Sequence, residues 1–153
     1  MRSLVTVSEG ALQARRMRYT NGMDNNYWSG AHTKHKLMYH IVWIPKYRKR
    51  ILEGKLADRL RELLLECAEF NGWHIDELNI QIDHVHMLVR LDPKTRVCDA
   101  VQKFKGGSSR IVRKEFSKLK EFLWGTSFWS DGYFAETVGK FDISIIKNYI
   151  QNQ

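Results

Sequence analysis

The stretch "QIDHVHMLVR", residues 81–90, constrains how the rest of the chain is arranged. Apolar residues alternate with other residues from His84 onward, and this two-residue period predicts a β-strand. The side chains expected to pack under helices are Val85, Met87 and Val89. His84 and His86 would share the opposite, open face, roughly 6.5–7 Å apart, where a cation could bind between them. A pair of half-exposed histidines without a ligand is the alternative.

Three elements are predicted on the N-terminal side of this strand. "HKLMYHIVWI", residues 35–44, is apolar on both faces and predicts a buried central strand that stops at Pro45. Leucines then recur at helical spacing from Leu52, and this helix should end at Asn71-Gly72. "WHIDELNI", residues 73–80, alternates and predicts a second strand.

Three more elements are predicted on the C-terminal side. An amphipathic helix starts at about Thr95, and Gly106-Gly107 within it predicts a kink or a close approach by another group. "SFWSDGYFAET", residues 127–137, predicts a fourth strand with a bulge or bend at Gly132. "DISIIKNYIQNQ" predicts a short terminal helix capped by Asp142.

The first six elements follow the order β-α-β-β-α-β, which indicates an α+β fold of the ferredoxin-like, split βαβ type. Such a fold has a four-stranded antiparallel sheet with two helices on one face, and here a C-terminal helix follows it. Residues 1–30 show no sustained period, so we expect a loosely ordered N-terminal extension before a single domain at 31–153.

Composition and charge indicate the class of partner. The chain is 43% hydrophobic and 27% charged, as in globular proteins. Twenty-five Lys and Arg against 17 Asp and Glu give a net charge of +8, which favours nucleic acid as a partner, with simple solubility as the alternative. No secretory signal or membrane-length apolar run is present, so we expect a cytoplasmic protein with no membrane partner. Cys67 and Cys98 are expected to be reduced, buried thiols.

The terminal helix offers a third ligand for a cation at the histidine pair. Tyr149 and Gln153 are four residues apart, which places them on one helix face. A Gln carbonyl oxygen with two imidazoles would make a neutral donor set suited to Mg²⁺ or Mn²⁺. The alternative is that Tyr149 only packs the helix and that Gln153 is a frayed terminal residue.

Two groups of basic residues could neutralise DNA phosphates, or could equally form solvated faces. The group after the first strand consists of Lys46, Arg48, Lys49 and Arg50. The group on the second long helix, at helical offsets, consists of Lys103, Arg110, Lys114 and Lys118.

Four segments together resemble one known family over roughly residues 32–153. They are "YHIVWIPKYRKRIL", "DHVHML", "KGGSSR" and "YIQNQ". Their combination and order are similar to the single-tyrosine, HUH-type transposases of the insertion sequence 200/605 family, where HUH denotes His, hydrophobic residue, His. The resemblance implies that His84 and His86 hold a divalent metal, that Tyr149 is the nucleophile, and that Gln153 is the third metal ligand.

The resemblance also implies an activity and partners. Members of the family cut and rejoin single-stranded DNA at the ends of a mobile element, through a 5′-phosphotyrosine, and recognise hairpins near those ends. They act as homodimers in which the tyrosine helix of one subunit can complete the histidine pair of the other. Residues 1–30 have no counterpart in the family pattern, and a tail would be expected after Gln153. The alternative function is a non-catalytic, ferredoxin-like module that binds single-stranded nucleic acid.

Overall fold

The computed structural model describes residues 27–30, 32–123, 127–139 and 142–153, and these residues fall into two units, with the boundary between Lys36 and Leu37. In the first unit, strands β1 (Trp28–Ser29) and β2 (Lys34–His35) pair antiparallel. Most of the extension predicted at 1–30 lies outside the described residues.

The second unit contains a four-stranded antiparallel sheet. Its strands are β3 (Met38–Trp43), β4 (His74–Gln81), β5 (His84–Arg90) and β6 (Phe134–Thr137). Their order across the sheet is β4-β5-β3-β6, with all neighbours antiparallel. This is the strand order of the split βαβ fold, so the predicted fold class is confirmed.

Four α-helices accompany the sheet in the described residues: α1 (Gly54–Asn71), α2 (Val97–Glu115), α3 (Leu119–Leu123) and α4 (Ile143–Gln151). The first ends as predicted at Gly72, whose φ of 72° lies in the left-handed region that favours glycine. None of the described helices is long and apolar enough to cross a membrane.

The core lies between α1, α2 and one face of the sheet. Val85, Met87 and Val89 are fully buried there, as their alternation in β5 predicts. The buried helix residues that face them include Leu60 and Leu64 of α1 and Val101, Phe104 and Val112 of α2. Both long helices therefore cover the same face, and the histidines at 84 and 86 are directed to the other one.

Two predicted strands are longer than the observed ones. The first begins at Met38 rather than at His35, because Lys34–His35 pair with β1 instead. The fourth is confined to Phe134–Thr137, and before it only Trp129 forms an isolated bridge, with Pro45.

Three local predictions were wrong. The α2 helix runs through Gly106 and Gly107 without a break, and a Cβ added at either glycine would meet no described atom within 4 Å. The other residues of this 19-residue helix offset the propensity cost of the two glycines. Asp142 precedes α4 but forms no side-chain capping hydrogen bond, because its own backbone is already helical. Cys98 is exposed, whereas Cys67 is half-buried against the core.

Candidate metal and tyrosine site

The sheet face opposite α1 and α2 carries the histidine pair. His86 is opposite Asn79 of β4, and His84 is opposite Gln81, so the pair adjoins a row of amide side chains. This face is less open than predicted, because α4 lies against β4 and β5. Only 5% of His86 is exposed, while His84 keeps intermediate exposure at the end of its strand.

Two amide side chains of β4 hold the end of α4. Asn79 donates from Nδ2 to the carbonyl of Ile150 at 2.6 Å, and Gln81 donates from Nε2 to the carbonyl of Gln153 at 2.8 Å. Carbonyls at a helix C-terminus lack partners within the helix, so these donors satisfy them. The side chain of Ile150, 1% exposed, anchors the same turn.

This docking brings the predicted tyrosine to the histidine pair of the same chain. The ring centroid of Tyr149 lies 5.6 Å from that of His86, with the planes at 86°. Tyr149 is also 51% exposed, so a substrate can reach it. Gln153 lies two residues beyond Gln151, where α4 ends, and not on the helix face that was predicted for it and Tyr149. Its main-chain oxygen accepts a hydrogen bond from Gln81, the strand partner of His84. The fold thus gathers Tyr149, His86, His84 and the main-chain oxygen of Gln153 at one end of the sheet.

The neighbours of His84 determine which of its nitrogens carries a proton. Asp83 Oδ1 lies 2.6 Å from His84 Nδ1, and Arg48 donates from Nε to Asp83 Oδ2 at 3.1 Å. The hydrogen bond with His84 is the main reason that the pKa of Asp83 is below its usual value. Since a carboxylate only accepts hydrogen bonds, Nδ1 of His84 must donate, and in the neutral form of the ring Nε2 then carries the lone pair.

The surroundings of His86 keep it neutral. Burial, followed by the nearby His84 and His40, lowers its pKa from 6.5 to about 4. An imidazole must be neutral to bind a metal, so this shift favours ligation at neutral pH. The rings of His84 and His86 have centroids 4.8 Å apart and planes at 82°.

The donor set at this site fits a divalent cation if the third ligand is an amide. No group of three or more His, Cys, Asp or Glu in the described part of the chain is arranged to hold a metal. Two imidazoles are available, and the amide of Gln153 could supply the oxygen.

The first basic group lies in the loop after β3. Tyr47 and Arg48 both have positive φ, at 60° and 48°, which is strained for residues with a Cβ. This conformation brings Arg48 to Asp83 and leaves Tyr47 exposed, with Lys46 Nζ 5.7 Å from its ring centroid. Arg48 therefore supports the histidine site, and a DNA contact from Lys46, Arg48, Lys49 or Arg50 stays a prediction.

The second basic group is less uniform than its spacing predicts. Lys103 donates to Asn71 Oδ1 at 2.6 Å, and its Nζ is 5.4 Å from the ring of Trp73. Arg110 and Lys114 are exposed on α2, whereas Lys118 lies beyond the end of the helix at Glu115. Their contact with DNA also stays a prediction.

The residues that form hydrogen bonds to the histidine pair or to α4, directly or through another residue, were not predicted from the sequence: Asn79, Gln81, Asp83, His40 and Glu136. One signal was present: Asn79 and Gln81 have the two-residue spacing that puts both on one strand face. The partners of these side chains, however, come from other elements of the fold.

Comparisons with known proteins show similarity over most of the chain. The profile of the family described as "Transposase IS200 like" matches residues 33–153. The ISDra2 transposase TnpA of Deinococcus radiodurans is 35% identical over 119 residues, which are 78% of this chain and 85% of that protein. The transposase for insertion sequence element IS200 of Salmonella typhimurium is 35% identical over 123 residues, 80% of each chain.

Solved structures show the same fold. A Deinococcus radiodurans crystal structure, named as that of a transposase, has a TM-score of 0.68 and 34% identity, covering 82% of this chain and 96% of the other. A REP-associated tyrosine transposase bound to a REP hairpin has a TM-score of 0.56, covering 86% and 70%. At 11% identity, the second similarity shows a common fold alone.

Proposed function

Because the chain belongs to the IS200-like transposase family, we propose that it cleaves and rejoins single-stranded DNA through Tyr149. The observation that carries this proposal is the position of the Tyr149 ring, 5.6 Å from the ring of His86 and half exposed. A tyrosine that only packed its helix would not need to lie against a histidine pair at a solvent-accessible edge.

The proposed reaction is a transesterification. Tyr149 Oη attacks the scissile phosphorus and loses its proton to solvent, while the bond from phosphorus to the 3′-oxygen breaks. The leaving oxygen takes the electron pair and gains a proton, so the products are a 5′-phosphotyrosine and a free 3′-OH. One ester replaces another, so the enzyme can rejoin DNA by the reverse reaction without ATP.

A phenol is protonated at neutral pH and is a weak nucleophile, so the attack requires an activated phosphate. We propose that His84 and His86, through Nε2, and Gln153, through its amide oxygen, hold Mg²⁺ or Mn²⁺. A bound divalent cation would withdraw charge from the scissile phosphate and orient it, which is worth several kcal/mol. Asn79 and Gln81 would keep Tyr149 at the site by holding α4 on β4.

The proposed substrate is single-stranded DNA with hairpins at the ends of an insertion sequence. The net charge of +8 favours such a polyanion. The REP-associated neighbour is bound to a hairpin, which supports hairpin recognition by the common fold. We further propose a homodimer, in which α4 could serve the site of its own chain, as here, or that of the partner.

The test uses labelled single-stranded oligonucleotides from the flanks of the element, with Mg²⁺ or with EDTA. The wild type should give a protein–DNA species that survives denaturation, and Tyr149→Phe should give none while still binding the hairpin. Tyr133→Phe is the matched control, because Tyr133 is similarly exposed, at 43%, and lies outside the site. Hairpin binding by the wild type without any adduct would instead indicate a non-catalytic binding module.

A further inference from the structure

A chain of hydrogen bonds extends from His86 to His40, whose ring centroid also lies 6.3 Å from that of Tyr149, and on to Glu136. His40 Nε2 lies 3.1 Å from His86 Nδ1, and His40 Nδ1 lies 3.0 Å from Glu136 Oε1. His40 belongs to β3, where it is directly opposite Glu136 of β6 and diagonal to His86 of β5. Three strands of the sheet therefore contribute to one polar relay.

The ring geometry indicates a true N–H···N hydrogen bond between the two histidines. Their planes differ by only 10°, and their centroids are 5.3 Å apart. Carbon atoms in van der Waals contact are about 3.5–4.0 Å apart, so the rings are too distant to be stacked face to face. The rings instead meet edge to edge, and a proton on one nitrogen points along the lone pair of the other.

The carboxylate of Glu136 sets the direction of the relay. A carboxylate can only accept, so His40 Nδ1 donates to it. The other nitrogen of a neutral His40, Nε2, is then an acceptor, and His86 must donate from Nδ1. In that tautomer Nε2 of His86 carries a lone pair. Without Glu136 the pair could reverse, with His40 donating and a proton on His86 Nε2.

We propose that His40 and Glu136 are positioning residues that hold His86 in its Nδ1–H tautomer and so present Nε2 to the divalent cation. This inference rests on the proposed metal site. Under this proposal, a carboxylate sets the tautomer of each histidine ligand. Asp83 acts directly on His84, and Glu136 acts on His86 through His40. Such outer partners fix the orientation of a ligating imidazole and increase its basicity.

The ordinary alternative is that His40 simply satisfies a buried polar group. His40 is 4% exposed and needs partners for that reason alone. The two explanations differ in what Glu136 does. Its side chain is 45% exposed, so a purely structural relay would tolerate an amide there, whereas the proposed relay would lose its direction.

The first measurement is made on the metal-free, full-length protein. Long-range ¹⁵N–¹H NMR of the histidine rings identifies which nitrogen of each ring is protonated. The proposal predicts Nδ1–H on His86 and Nδ1–H on His40 in the wild type. It further predicts that Glu136→Gln populates Nε2–H on His86. A wild-type His86 with its proton on Nε2 would overturn the relay, whatever the protein does with DNA.

The second measurement is Mn²⁺ affinity, by electron paramagnetic resonance, without DNA. Glu136→Gln should weaken binding about tenfold, at the lower end of the range of about 10–100-fold for outer partners of metal ligands. His40→Leu should weaken it by more within that range, because it removes the acceptor for His86. Glu121→Gln is the control for loss of one negative charge, since Glu121 is exposed on α3, outside the sheet and the relay, and it should leave affinity unchanged.

A double variant separates coupling from simple electrostatics. In His40→Gln, the amide oxygen can occupy the position of Nε2 and accept from His86 without help from Glu136. His40→Gln should therefore retain most of the Mn²⁺ affinity, and Glu136→Gln should have no further effect in that background. An equal loss from Glu136→Gln in both backgrounds would show that only charge matters and would overturn the proposal. A wild type that binds no Mn²⁺ would refute the metal site itself, while the tautomers would still be measured.

Discussion

Replacement of Ile150 tests whether α4 is held on the sheet as the structure shows. Ile150 is 1% exposed, and replacing a buried isoleucine by alanine costs about 2–5 kcal/mol of stability. A helix of nine residues is too short to be stable alone, so the loss should appear as local undocking. A cost of about 2 kcal/mol increases the undocked population about 30-fold.

The same helix supplies a matched control. Ile145 is 65% exposed, so Ile145→Ala makes the same chemical change with little loss of contact, within about 0.5 kcal/mol. Hydrogen exchange, read by mass spectrometry on peptides covering residues 142–153, reports the undocking directly. Ile150→Ala should exchange about 30-fold faster than the wild type, and Ile145→Ala no more than about twofold faster.

Adduct formation should follow the same order, because Tyr149 reaches the histidine pair only when α4 is docked. Ile150→Ala should form the protein–DNA adduct more slowly than the wild type, and Ile145→Ala should match the wild type. If both variants exchange alike, burial of Ile150 does not hold α4, and the reasoning about docking is refuted.

Other predictions concern the cysteines, the glycines and pH. Cys98 is exposed and should react with a thiol reagent faster than Cys67, because burial raises the pKa of the Cys67 thiol. Equal reaction rates would contradict this. In urea unfolding, Gly72→Ala should lower the free energy of unfolding by about 1–2 kcal/mol, because alanine is strained at a φ of 72°. Gly106→Ala should raise it by about 1 kcal/mol, because alanine is favoured over glycine inside α2. The opposite signs would refute both expectations. Because the pKa of His86 is lowered from 6.5 to about 4, the unfolded chain binds more protons between these values. The free energy of unfolding, measured in urea, should therefore decrease as the pH falls from 6.5 toward 4. In His86→Asn this decrease should be smaller, and an equal decrease would contradict the assignment to His86.

The sheet and both long helices could be predicted where local pattern and tertiary packing agree. The alternation of β5 and the leucine spacing of α1 correspond to the buried faces of the structure. The start of β3 could not be read in this way, since Lys34–His35 pair with β1. The kink predicted at Gly106-Gly107 was wrong for a different reason. The low helix propensity of two glycines does not interrupt a helix of 19 residues such as α2.

Prediction of the site was partial for a similar reason. The spacing of His84 and His86 puts two imidazoles on one strand face, and the family resemblance adds Tyr149 and Gln153. The relay was not predictable, since His40 and Glu136 are separated by 96 residues and meet only through the register of β3 with β6. The role of Asn79 likewise depends on where α4 docks.

The central claim is that Tyr149 attacks DNA phosphorus beside a cation held by the histidine pair. The most direct measurement digests the denatured protein–DNA adduct, formed with Mg²⁺, and locates the nucleotide by mass spectrometry. The account predicts a nucleotide on the peptide that contains Tyr149, and no adduct in EDTA or in His84→Ala. A nucleotide on any other residue, or equal adduct yield in EDTA, would contradict it.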